Sequence, residues 1–112
     1  MLSWSSTESG SPADIGAVVH GVGDAGVPFG SEIIAFAEAI GGFDDVALAA
    51  ARDRITTAAG EAFMIDTAAV VANFEMMTRV ADGTGARFPS EAAARRVELD
   101  ARLDIGGFTS AR

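Results

Sequence analysis

The segment from Gly60 to Gly85 places the strongest constraint on the fold. It is rich in Ala, Val, Met and Phe and contains no proline, so it is predicted to form one helix of about six turns. A rotation of about 100° per residue places five apolar residues along one side: Phe63, Val70, Phe74, Met77 and Ala81. Glu75, Arg79 and Asp82 cluster opposite. A helix this apolar is expected to be buried on more than one side, by other helices of the subunit and by a neighbouring subunit.

Capping residues and glycines divide the rest of the chain into further helices. The predicted starts are Ser11, Ser31, Asp44 and Ser90, and the predicted ends are Gly26–Gly30, Gly41–Gly42, Gly60 and Gly106–Gly107. Because Gly16, Gly21 and Gly23 interrupt the first helix, we expect it to be short or irregular. The fold predicted is all-α, a compact bundle of four to five helices with one long central helix.

The apolar residues of these helices define a predicted core. Its members outside the central helix are Ile15, Val18, Val19, Val22, Ile33, Ile34, Phe36, Ala37, Ile40, Val46, Ala50, Ile55, Ala93, Val97, Ala101 and Leu103. A chain of 112 residues supports a single core, so residues 1–112 are expected to form one domain, with tails at 1–11 and 108–112.

Charge and hydropathy limit the kinds of partner. The formal net charge is -8, from 16 acidic residues against eight arginines and no lysine, and this field repels nucleic acid. No uninterrupted apolar run is long enough to span a membrane. We expect a cytoplasmic protein that binds neither nucleic acid nor membrane.

Candidate catalytic groups are few. The chain has no cysteine, which excludes thiol-based mechanisms and thiolate metal sites. His20 is the only histidine, and Asp24 follows four residues later, as in a pair that orients an imidazole for proton transfer. The alternative is a histidine without a catalytic role. No metal site and no cofactor are predicted.

The central helix offers a candidate binding group. Glu75, Arg79 and Asp82 have the spacing at which one guanidinium contacts two carboxylates. This triplet is predicted either to orient a substrate carboxylate or to serve as a structural ion network.

The segment Val71–Gly85, VANFEMMTRVADGTG, resembles the C-terminal helix of the carboxymuconolactone decarboxylase and alkylhydroperoxidase D-like (AhpD-like) family. Members tend to show a Phe, an Arg five residues later, then Ala-Asp and a Gly. Here these positions are Phe74, Arg79, Ala81, Asp82 and Gly85. A weaker resemblance extends through residues 36–45, FAEAIGGFDD.

This resemblance implies an AhpD-like, all-helical subunit that assembles into trimers, hexamers or related oligomers. Family peroxidases carry a Cys-x-x-Cys motif, which this chain lacks, so thiol peroxidase activity is excluded. Glu75 also departs from the family pattern, since relatives often have Asn four residues before the Arg.

Three functions remain open from the sequence. The leading one is a cysteine-free member of this family that acts as an oligomeric binding or scaffolding protein, a dimer, trimer or hexamer with a possible small-molecule ligand. The second is a small-molecule decarboxylase or hydrolase-like enzyme that uses His20 with Asp24 or Glu32, and Arg79 for a substrate carboxylate. The third is a helical interaction domain for an unrelated protein.

Overall fold

The computed structural model describes residues 8–10, 13–20, 25–86 and 97–104. These residues form five helices and no strand: α1 (Ile15–His20), α2 (Gly30–Gly42), α3 (Asp45–Ala59), α4 (Glu61–Thr84) and α5 (Val97–Arg102). The prediction of an all-α fold with four to five helices and one long helix is therefore confirmed. None of the described helices is long and apolar enough to cross a membrane.

The core lies where α2, α3 and the first half of α4 meet. Phe36 and Ala39 of α2 pack against Ala51 and Ile55 of α3, and Ile55 has no exposed surface. Six partly buried side chains surround this cluster: Ile33, Ile40, Leu48, Phe63, Met64 and Ala68. Because Ala39 and Ala51 have only a methyl group, they let the two helices approach closely around Phe36 and Ile55.

The start of α3 and the ends of α3 and α4 lie at the residues that the sequence predicts. Asp44 caps α3 as predicted, and its Oδ1 accepts hydrogen bonds from the backbone N–H groups of Val46 and Ala47, both at 3.0 Å. Gly60 ends α3 with φ of 92°, and Gly85 ends α4 with φ of 66°. Both values lie in the region that favours glycine.

The predicted cap of α2 is wrong. The helix begins at Gly30 after Phe29, whose φ is 57°, so Ser31 lies within the first turn. A Cβ at Gly30 would lie 3.3 Å from side-chain carbons of both Ala25 and Val27. This close packing of the preceding loop sets the start of α2 and overrides the capping preference of serine.

The two short helices lie at either end of the described chain. Within α1 the buried residue is Ala17, whereas the predicted core residue Val18 is exposed. Asp14, just before α1, bonds to Ala25 through its backbone N–H at 2.9 Å, and its carboxylate lies 3.5 Å from the guanidinium of Arg102 in α5. The predicted helix boundaries at Ser11, Ser90 and Gly106–Gly107 lie outside the described residues, as do Val22, Ala93 and both predicted tails apart from residues 8–10.

Several other predicted core residues are wrong. Ile55 and Leu103 are buried, but Val46, Ala50, Val97 and Ala101 are exposed. Val46 precedes Ile55 by nine residues, which places it about 180° around α3, away from the helix pair that encloses Ile55.

The helices of one subunit do not by themselves provide the burial expected of α4 on more than one side, and the part expected from a neighbouring subunit stays a prediction. No residue of α4 is buried. The side chains that are partly covered belong mainly to its first half: Phe63, Met64, Thr67, Ala68 and Val71. With 24 residues against 13 in α2 and 15 in α3, α4 is about 36 Å long and its partners about 20 Å. Its second half therefore extends past them.

Replacing Ile55 with Ala tests the placement of the core. We expect a loss of about 2–5 kcal/mol in the free energy of unfolding, because the side chain is fully buried and its removal leaves a cavity. Val46→Ala is the matched control on the exposed side of the same helix, with an expected change within about 0.5 kcal/mol. Urea unfolding followed by circular dichroism, at one protein concentration, measures both. Equal losses in the two variants would contradict this core.

Candidate interaction surface

Helix α4 carries large apolar side chains that the subunit leaves exposed, most of them on its second half. Each of six residues is 53–58% exposed: Ile65, Val70, Phe74, Met76, Met77 and Val80. We call these six residues the α4 apolar surface. Extended apolar patches on a folded subunit mark sites of interaction with other molecules.

The α4 apolar surface consists of two edges. Val70, Phe74 and Met77 form the Phe74 edge, and Ile65, Met76 and Val80 form the Met76 edge, about 120° further around the helix. The Phe74 edge continues the line of Phe63, which packs on the core and whose ring centroid lies 5.6 Å from that of Phe29. The same side of α4 is thus packed where it begins and open where it ends.

Polar residues separate the two edges. On one side lie Asp66 and Asn73, both exposed. On the other, Arg79 Nη2 lies 3.7 Å from Glu75 Oε2, and both side chains are about half exposed or more. Among the described residues Arg79 pairs with Glu75 and not with Asp82, so the predicted triplet is a pair. An exposed pair of this kind contributes about 0–1 kcal/mol, which leaves Arg79 able to change partner.

The predicted catalytic histidine lies elsewhere in the subunit. His20 is the last residue of α1 and is exposed, and Asp24 lies outside the described residues. No hydrogen bond or ion pair joins His20 to Arg79 within the described part of the chain. The proposed roles of His20, Asp24 and Arg79 in an enzyme remain predictions. Within the same ranges no three His, Asp or Glu side chains are placed to hold a metal ion.

Glu32, the alternative acid, is held in its ionised form. The hydroxyl of Ser31 donates to its Oε2 at 2.9 Å, and Arg54 Nη2 lies 3.4 Å from its Oε1. The Ser31 hydrogen bond, then the backbone N–H of Glu32 and then Arg54 lower the pKa of this carboxyl below its ordinary value of 4.5. A carboxylate with a lowered pKa is a weak base and is not a proton donor at neutral pH.

A groove of about 350 Å³ lies between α2 and α3. Its lining is Ala35, Glu38, Ala39 and Gly42 from α2, Asp44 from the turn, and Ala47, Ala50, Ala51 and Arg54 from α3. Ala39 and Ala51 are buried at its floor, and Glu38, Ala47 and Ala50 are exposed. The sequence signal for such a groove is the recurrence of alanine at spacings of three and four in two successive helices.

Comparisons with known proteins add no assignment to this geometry. The chain matches no family model, no curated protein and no solved structure. The resemblance to the carboxymuconolactone decarboxylase and AhpD-like family therefore rests on the sequence of residues 71–85 and, more weakly, of residues 36–45, and it enters below as a proposal.

Removing the Ser31 hydroxyl tests the cause of the lowered Glu32 pKa. In Ser31→Ala we expect the titration midpoint of the Glu32 carboxyl to rise toward 4.5, because the largest stabilising hydrogen bond to its charged form is gone. NMR titration of the side-chain carboxyl carbon measures the midpoint, with Thr57→Ala on the exposed side of α3 as control. An unchanged midpoint in Ser31→Ala would contradict this assignment.

The lowered pKa of Glu32 makes the stability of the folded chain depend on pH. Because the folded-state pKa of Glu32 lies below its unfolded value, its contribution to stability is complete above about pH 4.5 and is lost as the pH falls through the folded-state pKa. Ser31→Ala should therefore reduce the difference in stability between neutral and acid conditions.

Proposed function

We propose that this chain is a cysteine-free member of the carboxymuconolactone decarboxylase and AhpD-like family that works as a homo-oligomer. In this proposal the α4 apolar surface is the main contact between subunits, and the assembly serves as a binding or scaffolding protein. The observation that carries the proposal is the set of six large apolar side chains on α4, each more than half exposed, four of which lie on its second half.

The energetics of burial favour association. Complete burial of such a side chain contributes about 1.5–3 kcal/mol, so covering the exposed half contributes roughly 0.7–1.5 kcal/mol. Six residues then give roughly 4–9 kcal/mol per subunit, and a pair in which both surfaces are covered gives about twice that. Association costs about 4–15 kcal/mol. Burial of both surfaces is therefore large enough to offset this cost.

Most of the residues that carry the family resemblance lie on or beside the α4 apolar surface. Phe74 belongs to the α4 apolar surface, Arg79 and Asp82 are exposed beside it, and Gly85 ends the helix with a positive φ. Because the resemblance implies subunits that assemble through helix packing, it supports the same use of α4. Without a cysteine, this chain cannot itself supply the thiol of the family peroxidases.

The alternative functions have less support. An enzyme that uses His20 and Arg79 requires both groups in one cavity, and no described contact joins them, so that function remains a prediction. A foreign protein partner for the α4 apolar surface is an outcome that the mass measurement below distinguishes. The cytoplasmic location likewise stays a prediction.

Substituting Phe74 with Glu tests the proposal. We expect wild-type protein to sediment as a species heavier than 11.4 kDa, and Phe74→Glu to raise the subunit dissociation constant by about tenfold or more, because a buried charge without a partner is costly. Sedimentation velocity across a dilution series measures both. A foreign partner would leave wild type and Phe74→Glu alike as monomers.

Ala49→Glu is the matched control. It places the same charge at an exposed position of α3 that belongs neither to the α4 apolar surface nor to the lining of the groove, and should leave the mass unchanged. A wild-type monomer at about 100 µM, a concentration that populates even weak complexes, would contradict the proposal, as would equal effects of the two substitutions.

A further inference from the structure

We propose that the groove between α2 and α3 receives the Met76 edge of α4 from a second copy of the chain. The incoming Arg79 would face Glu38 at the groove margin. This inference rests on the proposed self-association and names the two surfaces that meet.

The groove is not filled by the subunit's own α4. All of its lining residues belong to α2, α3 and the turn between them, whereas α4 packs on the core cluster through Phe63, Met64 and Ala68. The Met76 edge lies mainly on the half of α4 that extends past its partners. The groove and the Met76 edge are therefore open surfaces on separate parts of one molecule.

The two surfaces are complementary in size. Six of the nine residues that line the groove are alanine or glycine, and a Cβ added at Gly42 would meet no atom within 4 Å. The Met76 edge presents the larger side chains of Ile65, Met76 and Val80, separated by alanines at positions 69 and 72. Large side chains on one helix pack between small residues of a facing pair because this arrangement leaves few voids.

Apolar surface continues at one end of the groove. Phe43 lies between the lining residues Gly42 and Asp44, and its side chain is 85% exposed. A helix seated in the groove would cover this side chain as well. Since isolated exposed apolar residues are common but a continuous series is not, Phe43 extends the surface that a partner helix would bury.

Charge complementarity identifies the second copy as the occupant. Among the charged residues that line the groove, Asp44 caps α3 and Arg54 pairs with Glu32 at 3.4 Å. Glu38 is exposed and makes no ion pair within the described part of the chain. Arg79 lies about 60° around α4 from Met76, and its pairing with Glu75 is exposed and weak. A helix that buries its apolar edge in the groove needs a basic residue beside that edge to pair with Glu38, and Arg79 has this position.

The net charge of each copy strengthens this argument. Two subunits of charge -8 repel one another, so a contact that brings an arginine to an unpaired glutamate is favoured over contacts between acidic surfaces. Because the groove and the Met76 edge are different surfaces, each subunit gives its α4 to a neighbour's groove and accepts an α4 in its own, either reciprocally in a two-fold dimer or in sequence around a ring.

Charge exchange between the two positions tests the contact. We expect Glu38→Arg and Arg79→Glu, each alone, to raise the dissociation constant by about tenfold, and the double variant to return within about threefold of wild type. Asp53→Arg and Arg52→Glu are the matched controls, with the same changes of charge at exposed positions of α3 that do not line the groove. Sedimentation velocity measures all five variants, and circular dichroism checks their helix content.

Filling the groove gives a second, independent readout. Ala50→Trp places a large side chain at an exposed lining position and should dissociate the assembly without loss of helix content. If wild type assembles and Phe74→Glu disrupts it while Ala50→Trp and the charge variants do not, the groove contact is overturned and the proposed function stands. If both single charge variants disrupt assembly but the double variant does not recover, the Arg79–Glu38 contact is overturned. If wild type is a monomer throughout, the proposed function fails first.

Discussion

The length of α4 relative to the helices that hold it determines the rest of this structure. The pair α2 and α3 closes around Phe36 and Ile55 because Ala39 and Ala51 allow their backbones to approach. This pair offers a site for about three turns of helix, and the first half of α4 occupies it. The remaining turns extend beyond this pair and carry large apolar side chains. One subunit therefore leaves apolar surface of α4 exposed to water.

This mismatch accounts for both proposed contacts. The Phe74 edge continues a line of residues that is already packed at Phe63, so a neighbour that covers it extends the existing core. The Met76 edge faces a different direction, about 120° away, and needs a different surface. The groove between α2 and α3 supplies one, and it is formed by the same small residues that allow the helix pair to close. Packing within the subunit and the proposed packing between subunits thus depend on the same alanines.

Much of the fold could be predicted because local signals carry it. Asp44 caps α3, glycines with positive φ end α3 and α4, and the apolar spacing around Phe36 and Ile55 gives the core. The errors arose where tertiary packing overrides local preference. Ser31 has the chemistry of a cap, but the loop packed against Gly30 sets the start of α2.

The candidate surface was harder to predict than the helices. Spacing along α4 identifies which residues share a side, but the extent of burial depends on how far the partner helices reach, and no local pattern contains that length. The groove was hard to predict for a similar reason, because its width is set by how closely two helices approach. For His20 and Arg79, sequence proposes a shared role, and only their placement in an assembly tests whether one cavity contains both.

Oxidative footprinting of Met76 and Met77 over a dilution series from about 100 to 0.1 µM tests the central claim most directly. Both side chains are more than half exposed in the single subunit. If a second copy covers α4, their oxidation rates at high concentration should be several-fold lower than at low concentration, whereas the rate of the partly buried Met64 should change little. Equal rates for Met76 and Met77 across the whole series would show that α4 remains open to water, and would contradict the account.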